Sequence, residues 1–444
     1  MQILGAWRLT ARVFFPFAAG YYLSYLFRTI NALIAGRLSS DTGLGTADLG
    51  LLTSVYFLVL AAVQIPVGIL LDRFGPRRVQ SALLALAAVG AGLFAVSTGF
   101  LSFLIARAMI GLGVAAALTA GLKSIVLWFP RERSALLNGY MVMLGSLGAV
   151  TATAPAEYLL AWMGWRQLFE ILAAATAATA MLIYVVVPER AIVPSTPSMS
   201  ANLSAVFGDK RFWRIAPLSA SCVGSAWSLQ GLWASPWLMD VEGLDRADLV
   251  GQLFMMSIVL SGGAWLFGTI VHYIKRRSLG AETILAMVAI LFITAELALI
   301  LRVPLPSILP WSAVAIVGTA TVVSFAVIAD YYPPELAGRA NGALNVLHFV
   351  WAFLAQYATG LVLEQWSMND GHRSVQAYQV AFGLNVALQI ATLVWFAVPW
   401  RRSIASWMSS ILVFKQADVT YAVGSVGPYE DSVILVPADD DAEW

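Results

Sequence analysis

The chain has 444 residues, 60% of them hydrophobic and only 11% charged, where a soluble domain carries about 25% charged residues. Its mean hydropathy of +0.79 points to an integral membrane protein; the net charge of +1 says nothing about nucleic acid, and the sequence has no basic patch or aromatic RNA-binding pattern. One cysteine, Cys222, excludes an intrachain disulfide and a cysteine metal site.

Arg8 and Arg12 precede an apolar run too long for a signal-peptide core and without a small-residue cleavage site, so it reads as a first membrane span. Twelve segments reach the roughly 20 residues a crossing helix needs. They lie near 13–36, 48–71, 79–98, 101–128, 135–161, 167–187, 213–239, 248–272, 281–301, 308–331, 339–363 and 377–398. A polar stretch rich in Pro and Ser separates the sixth from the seventh. The expected fold class is an all-α membrane protein of twelve helices in two pseudosymmetric six-helix bundles. Its expected parts are a bundle over 1–187, a cytoplasmic linker over 188–211, a second bundle over 212–400 and a cytoplasmic tail over 401–444. In the tail, Ile404, Trp407, Met408, Ile411 and Leu412 share a helical face, which predicts a short helix on the inner membrane surface. The acidic end after it predicts disorder.

Between spans 2 and 3 runs GILLDRFGPRR, Gly68 to Arg78. So short a charged turn between two apolar runs makes an antiparallel helix pair. Gly68 lets helix backbones approach closely, and Asp72 can face the positive N-terminus of another helix. Arg73, Arg77 and Arg78 mark a cytoplasmic turn. The stretch resembles the signature loop of the major facilitator superfamily of transporters, G-x-L-x-D-R-x-G-R-[KR], with Gly75 matching and Pro76 departing from the pattern. The two-bundle architecture that this resemblance implies would bring Asp72 to the start of span 11 when the inner side is closed, as a latch. RAMIGLGVAAA (Arg107–Ala117) resembles a second pattern of that family, R-x-x-x-G-x-G-x-A. The resemblance covers roughly residues 12–400 and implies that spans 1, 4, 7 and 10 line a central cavity with alternating access to the two sides.

The halves repeat internally. Ala47-Asp48-Leu49 returns as Ala247-Asp248-Leu249, and WFPRERSALLNG returns as YYPPELAGRANG. Internal repetition of this kind suits a two-bundle transporter. The second copy of the opening loop has His272 where the first has Asp72, followed by Lys275, Arg276 and Arg277. Of the 26 Lys and Arg, eighteen fall on the side of the termini, five on the other side and three within spans. Both termini are therefore expected in the cytoplasm.

The three within spans are Arg28, Arg107 and Lys123. Each would cost about 2.5–3.5 kcal/mol at a helix centre facing lipid, so each must meet protein, water or a solute. Tyr21, Ser24, Tyr25, Arg28 and Asn31 share a face of span 1, as a cavity wall requires. Arg107 lies at a similar depth on span 4, and two readings are open. Arg28 and Arg107 could form a guanidinium clamp for a carboxylate or phosphate, or Arg107 could pair with Glu157 on span 5. Lys123 lies about 160° around the helix from Arg107, either snorkelling at the inner end or reaching a solute through a bent span 4. Gln230 and Trp233 share a face of span 7, and Asn345 and His348 share one of span 11. His348 and Glu157 are the candidates for carrying a coupling proton.

Arg28, Arg107 and Lys123 stand within spans 1 and 4, and no Asp or Glu occurs in the middle of spans 1, 4 or 7. The expected function is secondary active transport of a small anion or zwitterion: an organic acid, a phosphorylated metabolite, an amino acid or a short peptide. Coupling to protons or exchange against a counter-anion is expected. The alternatives are an efflux antiporter for amphipathic compounds, whose span 5 pattern is only faintly echoed in GAVTATAP, and a non-transporting sensor of the same architecture. The sequence has no nucleophile elbow, phosphate loop or metal-ligand cluster, so neither an enzyme nor a cofactor is expected. Expected partners are the solute and the lipid bilayer, with no nucleic acid. A monomer in a plasma or inner membrane is expected.

Overall fold

A bilayer offers no water to backbone N–H and C=O groups, so long apolar runs must satisfy them within helices. The computed structural model describes residues 6–189, 199–274, 281–332, 334–368 and 372–398. Among these, helices form twelve successive spans: 6–42, 46–74, 76–96, 100–128, 131–163, 165–186, 210–240, 246–274, 281–300, 308–331, 334–364 and 375–397. Short irregular turns interrupt spans 4, 5 and 10, and π-helical turns occur at Thr10–Phe14 and at Leu229–Trp233 of span 7. Seven helices among the described residues, that through Gly75 counted as one, are long and apolar enough to cross a membrane, and the helix order is consistent with the twelve expected. One unit, Met1–Phe396, holds these spans up to the end of span 12. Of the second, Ala397–Trp444, only 397–398 are described, so the expected tail helix and acidic end lie outside the described residues. So do 190–198 of the linker, the turn with Lys275, Arg276 and Arg277, and the His272 side chain.

Spans 2 and 3 are joined at Gly75, whose φ of 82° and ψ of 161° strain any residue with a Cβ. Pro76 opens the next helix at a position that needs no N–H donor. Span 4 shows that the chain doubles back there. Gly111 packs on the Tyr56 backbone and neighbouring Gly113 on Ala87, so span 4 touches the chain both before and after the turn. Gly164, with φ of 72°, makes the same kind of junction between spans 5 and 6.

Around the Gly75 turn, Arg77 Nε donates to the Tyr184 carbonyl at 2.9 Å, and Arg77 and Arg78 both pair with Glu189. The Arg73 guanidinium lies over the Phe74 ring. Asp72 has a side-chain partner on span 4. Its Oδ1 accepts from Lys123 Nζ at 2.5 Å, and the same ammonium donates to the Leu71 carbonyl at 2.8 Å. Lys123 is therefore the partner of the Gly75 loop rather than a cavity cation, because its position near the end of span 4 brings it level with that loop.

Part of the linker forms a helix, Met199–Gly208, which the Pro- and Ser-rich composition did not predict; it packs on span 11. Asp209 then caps span 7 by accepting from the Arg211 N–H at 2.8 Å. Burial raises the Asp209 pKa, but hydrogen bonds from Arg211 outweigh it and hold the carboxyl below its ordinary value.

Spans 1–6 pack together, as do spans 7–12, and the two bundles meet where spans 2 and 11, 5 and 8, and 1 and 7 touch. One face of the molecule carries the Gly75 turn and the linker; the other carries the loops at 43–45, 97–99, 241–245, 301–307 and 365–374. These are the linker face and the far face below. Among the described residues, hydrogen bonds between the bundles lie toward the far face. Arg246 reaches Glu157 and Leu33, Arg373 reaches Thr46, and Gln356 reaches Thr53. Toward the linker face, a Cβ added at Gly68, Gly139, Gly338 or Gly342 would meet nothing within 4 Å. Gly68 thus makes no close helix crossing among the described residues.

Span 5 lies directly on span 1, since a Cβ at Gly148 would overlap the Tyr22 carbonyl oxygen and one at Gly145 the Tyr21 ring. Gly148→Ala is expected to cost about 1–3 kcal/mol, as overpacking does. The measurement is thermal unfolding of the purified variant in detergent, and an unchanged transition would refute the close-packing argument.

Candidate functional site

Between the bundles lies a small cavity of about 20 Å³, room for about one water molecule in this conformation, built by spans 1, 5, 7 and 8. Its polar lining is Arg28 and Thr29 from span 1, Thr153 from the break in span 5, Gln230 from the π-turn of span 7 and Ser257 from span 8. Leu33, Leu253, Met256 and Leu260 supply apolar walls. The four spans differ from the expected 1, 4, 7 and 10. Span 10 supports the wall from behind: its Val314 carbonyl accepts from Gln230 Nε2 at 3.0 Å and its Gly318 carbonyl from Trp227 Nε1 at 2.7 Å.

Arg28 is held by rings. Its guanidinium carbon lies 4.4 Å from the Trp227 ring centre and 5.1 Å from that of Tyr25, a geometry worth about 0.5–2 kcal/mol. Trp227 in turn stacks on Phe57 and lies against Phe349. Among the described residues no carboxylate pairs with Arg28, so its five N–H donors are available to an anion. Asn31 is buried and donates to the Arg28 carbonyl, so it steadies span 1 rather than lining the cavity.

Arg107 is fully buried behind span 1. Nη1 donates to the Phe27 carbonyl at 3.3 Å and the guanidinium lies 5.5 Å from the Tyr56 ring centre. The Arg107–Glu157 ion pair is not formed. Glu157 instead accepts from Arg37 at 2.7 Å within its own bundle and from Arg246 at 2.6 and 3.0 Å across the seam. Similar depth placed Arg107 and Glu157 together on paper, but span 5 turns Glu157 toward spans 1 and 8. Arg246 Nη2 also bonds the carbonyl of Leu33, a cavity residue, so this three-residue lock closes the cavity on the far face.

The remaining candidates lie around the cavity. Trp233 is buried and donates to the Gln356 carbonyl, sealing the seam with span 11. Asn345 is half-buried on span 11. His348 is fully buried, with Nε2 at 2.7 Å from Ser219 Oγ. Ser219 donates onward to Ser324 at 2.6 Å, so the shared proton belongs to His348 Nε2, and Nδ1 has no partner among the described residues. Neutral histidine suits that arrangement.

The sequence profile of the Major Facilitator Superfamily matches residues 17–356. The chain belongs to that superfamily. Among solved superfamily structures, that of a bacterial homologue of the human lysosomal transporter Spinster, in its inward-facing and unoccupied conformation, aligns with a TM-score of 0.67 at 18% identity, over 89% of this chain and 95% of that one. Relatives within the superfamily include a probable sulfoacetate transporter, SauU, of Cupriavidus necator, 26% identical over 36% of this chain and 38% of its own length. The hexuronate transporter of Escherichia coli (strain K12) is 23% identical over 56% of this chain and 62% of its own length. These alignments thus span less than two thirds of either relative. Thr29, Thr153 and Ser257 escaped the sequence reading because small hydroxyl residues are common in spans. Arg37 and Arg246 escaped it because they stand in or beside loops, where charge is unremarkable.

Proposed function

We propose that this superfamily member is a secondary transporter, not an enzyme, that moves a small organic anion of the sugar-acid kind by alternating access. The observation that carries this is Arg28: a guanidinium at the cavity wall, ring-supported and unmatched by a carboxylate among the described residues. A carboxylate would neutralise it with two parallel hydrogen bonds. Thr153 and Ser257, whose hydroxyl protons go to the Val150 and Leu253 carbonyls, offer acceptor oxygens to solute hydroxyls, as Gln230 Oε1 does, and Thr29 adds a hydroxyl of its own. Transport of hexuronate and sulfoacetate by relatives supports an anion with polar substituents. Lys and Arg distribution supports a cytoplasmic linker face, and on that reading the conformation described is inward-facing. The transporter works as a monomer in a plasma or inner membrane, driven by protons or by exchange. Asp72 would meet the N-terminus of span 11 once the linker face closes.

The test is flux in proteoliposomes of radiolabelled D-glucuronate, D-galacturonate and sulfoacetate beside neutral D-glucose. Uptake of an acid without uptake of glucose is expected. Uptake of glucose alone would overturn the anion reading, and binding of the acids without flux would make the protein a sensor.

A further inference from the structure

Span 9 carries a carboxyl, Glu296, with no accessible surface and, among the described residues, no cationic partner. Each of its oxygens accepts one amide N–H from span 12: Asn385 Nδ2 at 2.7 Å on Oε1, and Gln389 Nε2 on Oε2. Asn385 passes the contact on. Its Oδ1 accepts from Ser225 Oγ at 2.7 Å, and Ser225 Oγ accepts from Trp351 Nε1 at 2.9 Å. Ser225 stands on span 7 shortly before Trp227, the ring under Arg28, and Gln230, a cavity residue. The other titratable group beside Glu296 is the Cys222 thiol of span 7. Span 10, also packed on span 9, has no charged residue between Ile308 and Ile328.

A carboxylate buried among apolar helices without a cation is costly, and a neutral carboxylic acid is far less so. Gln389 supplies a second observation. Its Oε1 is buried and has no partner among the described residues. As placed, the amide offers N–H to an ionised carboxylate. Turned over, it offers that carbonyl oxygen to a carboxylic O–H. One side chain can thus serve both protonation states, because amide oxygen and nitrogen occupy nearly the same space.

We propose that Glu296 is a proton-binding site. It takes a proton from water as a carboxyl O–H donated to Gln389 and releases it as the carboxylate held by Asn385 and Gln389. The Asn385–Ser225 contact conveys the change to span 7 and so to the cavity. Proton binding stands on this cluster alone; its coupling to solute movement rests on the transport reading above.

The test has two arms. Infrared difference spectra of the full-length protein in lipid, without solute, are recorded on lowering the pH. The wild type is expected to gain a protonated-carboxyl C=O band that Glu296→Gln lacks. Gln389→Leu, which removes a donor from the ionised form, should move the appearance of that band to higher pH. A wild type with no titrating band, or the same band in Glu296→Gln, overturns the site. Should Glu296→Gln fail to fold, Glu296→Asp keeps the acid and must shift the band. In proteoliposomes under an inward pH gradient, Glu296→Gln is expected to lose accumulation of D-glucuronate yet keep one-for-one exchange. Full accumulation in that variant overturns the coupling. An inactive wild type would sink the transport reading and leave the infrared result to decide proton binding.

Discussion

Arg28→Ala is expected to abolish net uptake of a sugar acid and to weaken its binding about a hundredfold. Two charge-assisted hydrogen bonds at a desolvated site contribute together about 3 kcal/mol, and 1.4 kcal/mol is a factor of ten. Folding should not suffer. Among the described residues the guanidinium pairs with no carboxylate, so its loss strands no buried counter-charge, in contrast to breaking an ion pair. Arg28→Lys should recover little, because an ammonium is a point charge that cannot present two parallel donors. Isothermal titration of D-galacturonate into the purified variants decides the matter. Wild-type affinity in Arg28→Ala would remove this residue from the site.

The second large effect concerns the far-face lock. Glu157 is shared by Arg37 in its own bundle and Arg246 in the other, with side chains 18% exposed for the acid and 34% for each arginine. Such partial exposure places the seam-crossing pair between a surface bridge and a buried one. About 1.4 kcal/mol is a fair magnitude, which corresponds to roughly a tenfold shift in population. Glu157→Gln leaves two guanidinium groups near one another across the seam and should open the far face. Arg246→Ala removes the bonds that Arg246 makes across the seam, to Glu157 and to the Leu33 carbonyl, and should open the far face at least as much. The measurement is the rate at which a membrane-impermeant maleimide, added from the far face, labels Ser257→Cys in a Cys222→Ala background. About tenfold faster labelling is expected with Glu157→Gln and with Arg246→Ala alike. Unchanged labelling in both would mean that the lock does not hold the gate.

The spans and their junctions could be read from the chain because a bilayer imposes a length and an apolar composition on each crossing. Even the Gly75 turn shows in the spacing of Gly, Asp and Arg. Arg28 was legible for the same reason: a charge in an apolar run, on a polar stripe, has few places to go. The failures have a common cause. Depth along a helix follows from counting residues, whereas azimuth follows from tilt and from the neighbours chosen. Glu157 and Arg107 matched in depth and faced different helices. Lys123 looked intramembrane but reaches a loop residue, Asp72. Glu296 drew no notice because acids were sought on the spans presumed to line the cavity, and span 9 is not one of them. The helix Met199–Gly208 hid within a stretch whose prolines precede it.

The two rings that hold Arg28 belong to different bundles, Tyr25 to the first and Trp227 to the second. An empty carrier that rocks to its other orientation must pull the guanidinium from one of them, giving up about 0.5–2 kcal/mol near the top of its barrier. On the proposed function, a bound carboxylate would draw the guanidinium toward itself beforehand, and a loaded carrier would turn over without that loss. Unladen return should therefore be the slow leg of the cycle. Such a carrier leaks little when its solute is scarce on one side, and swaps solute across the membrane faster than it fills an empty compartment.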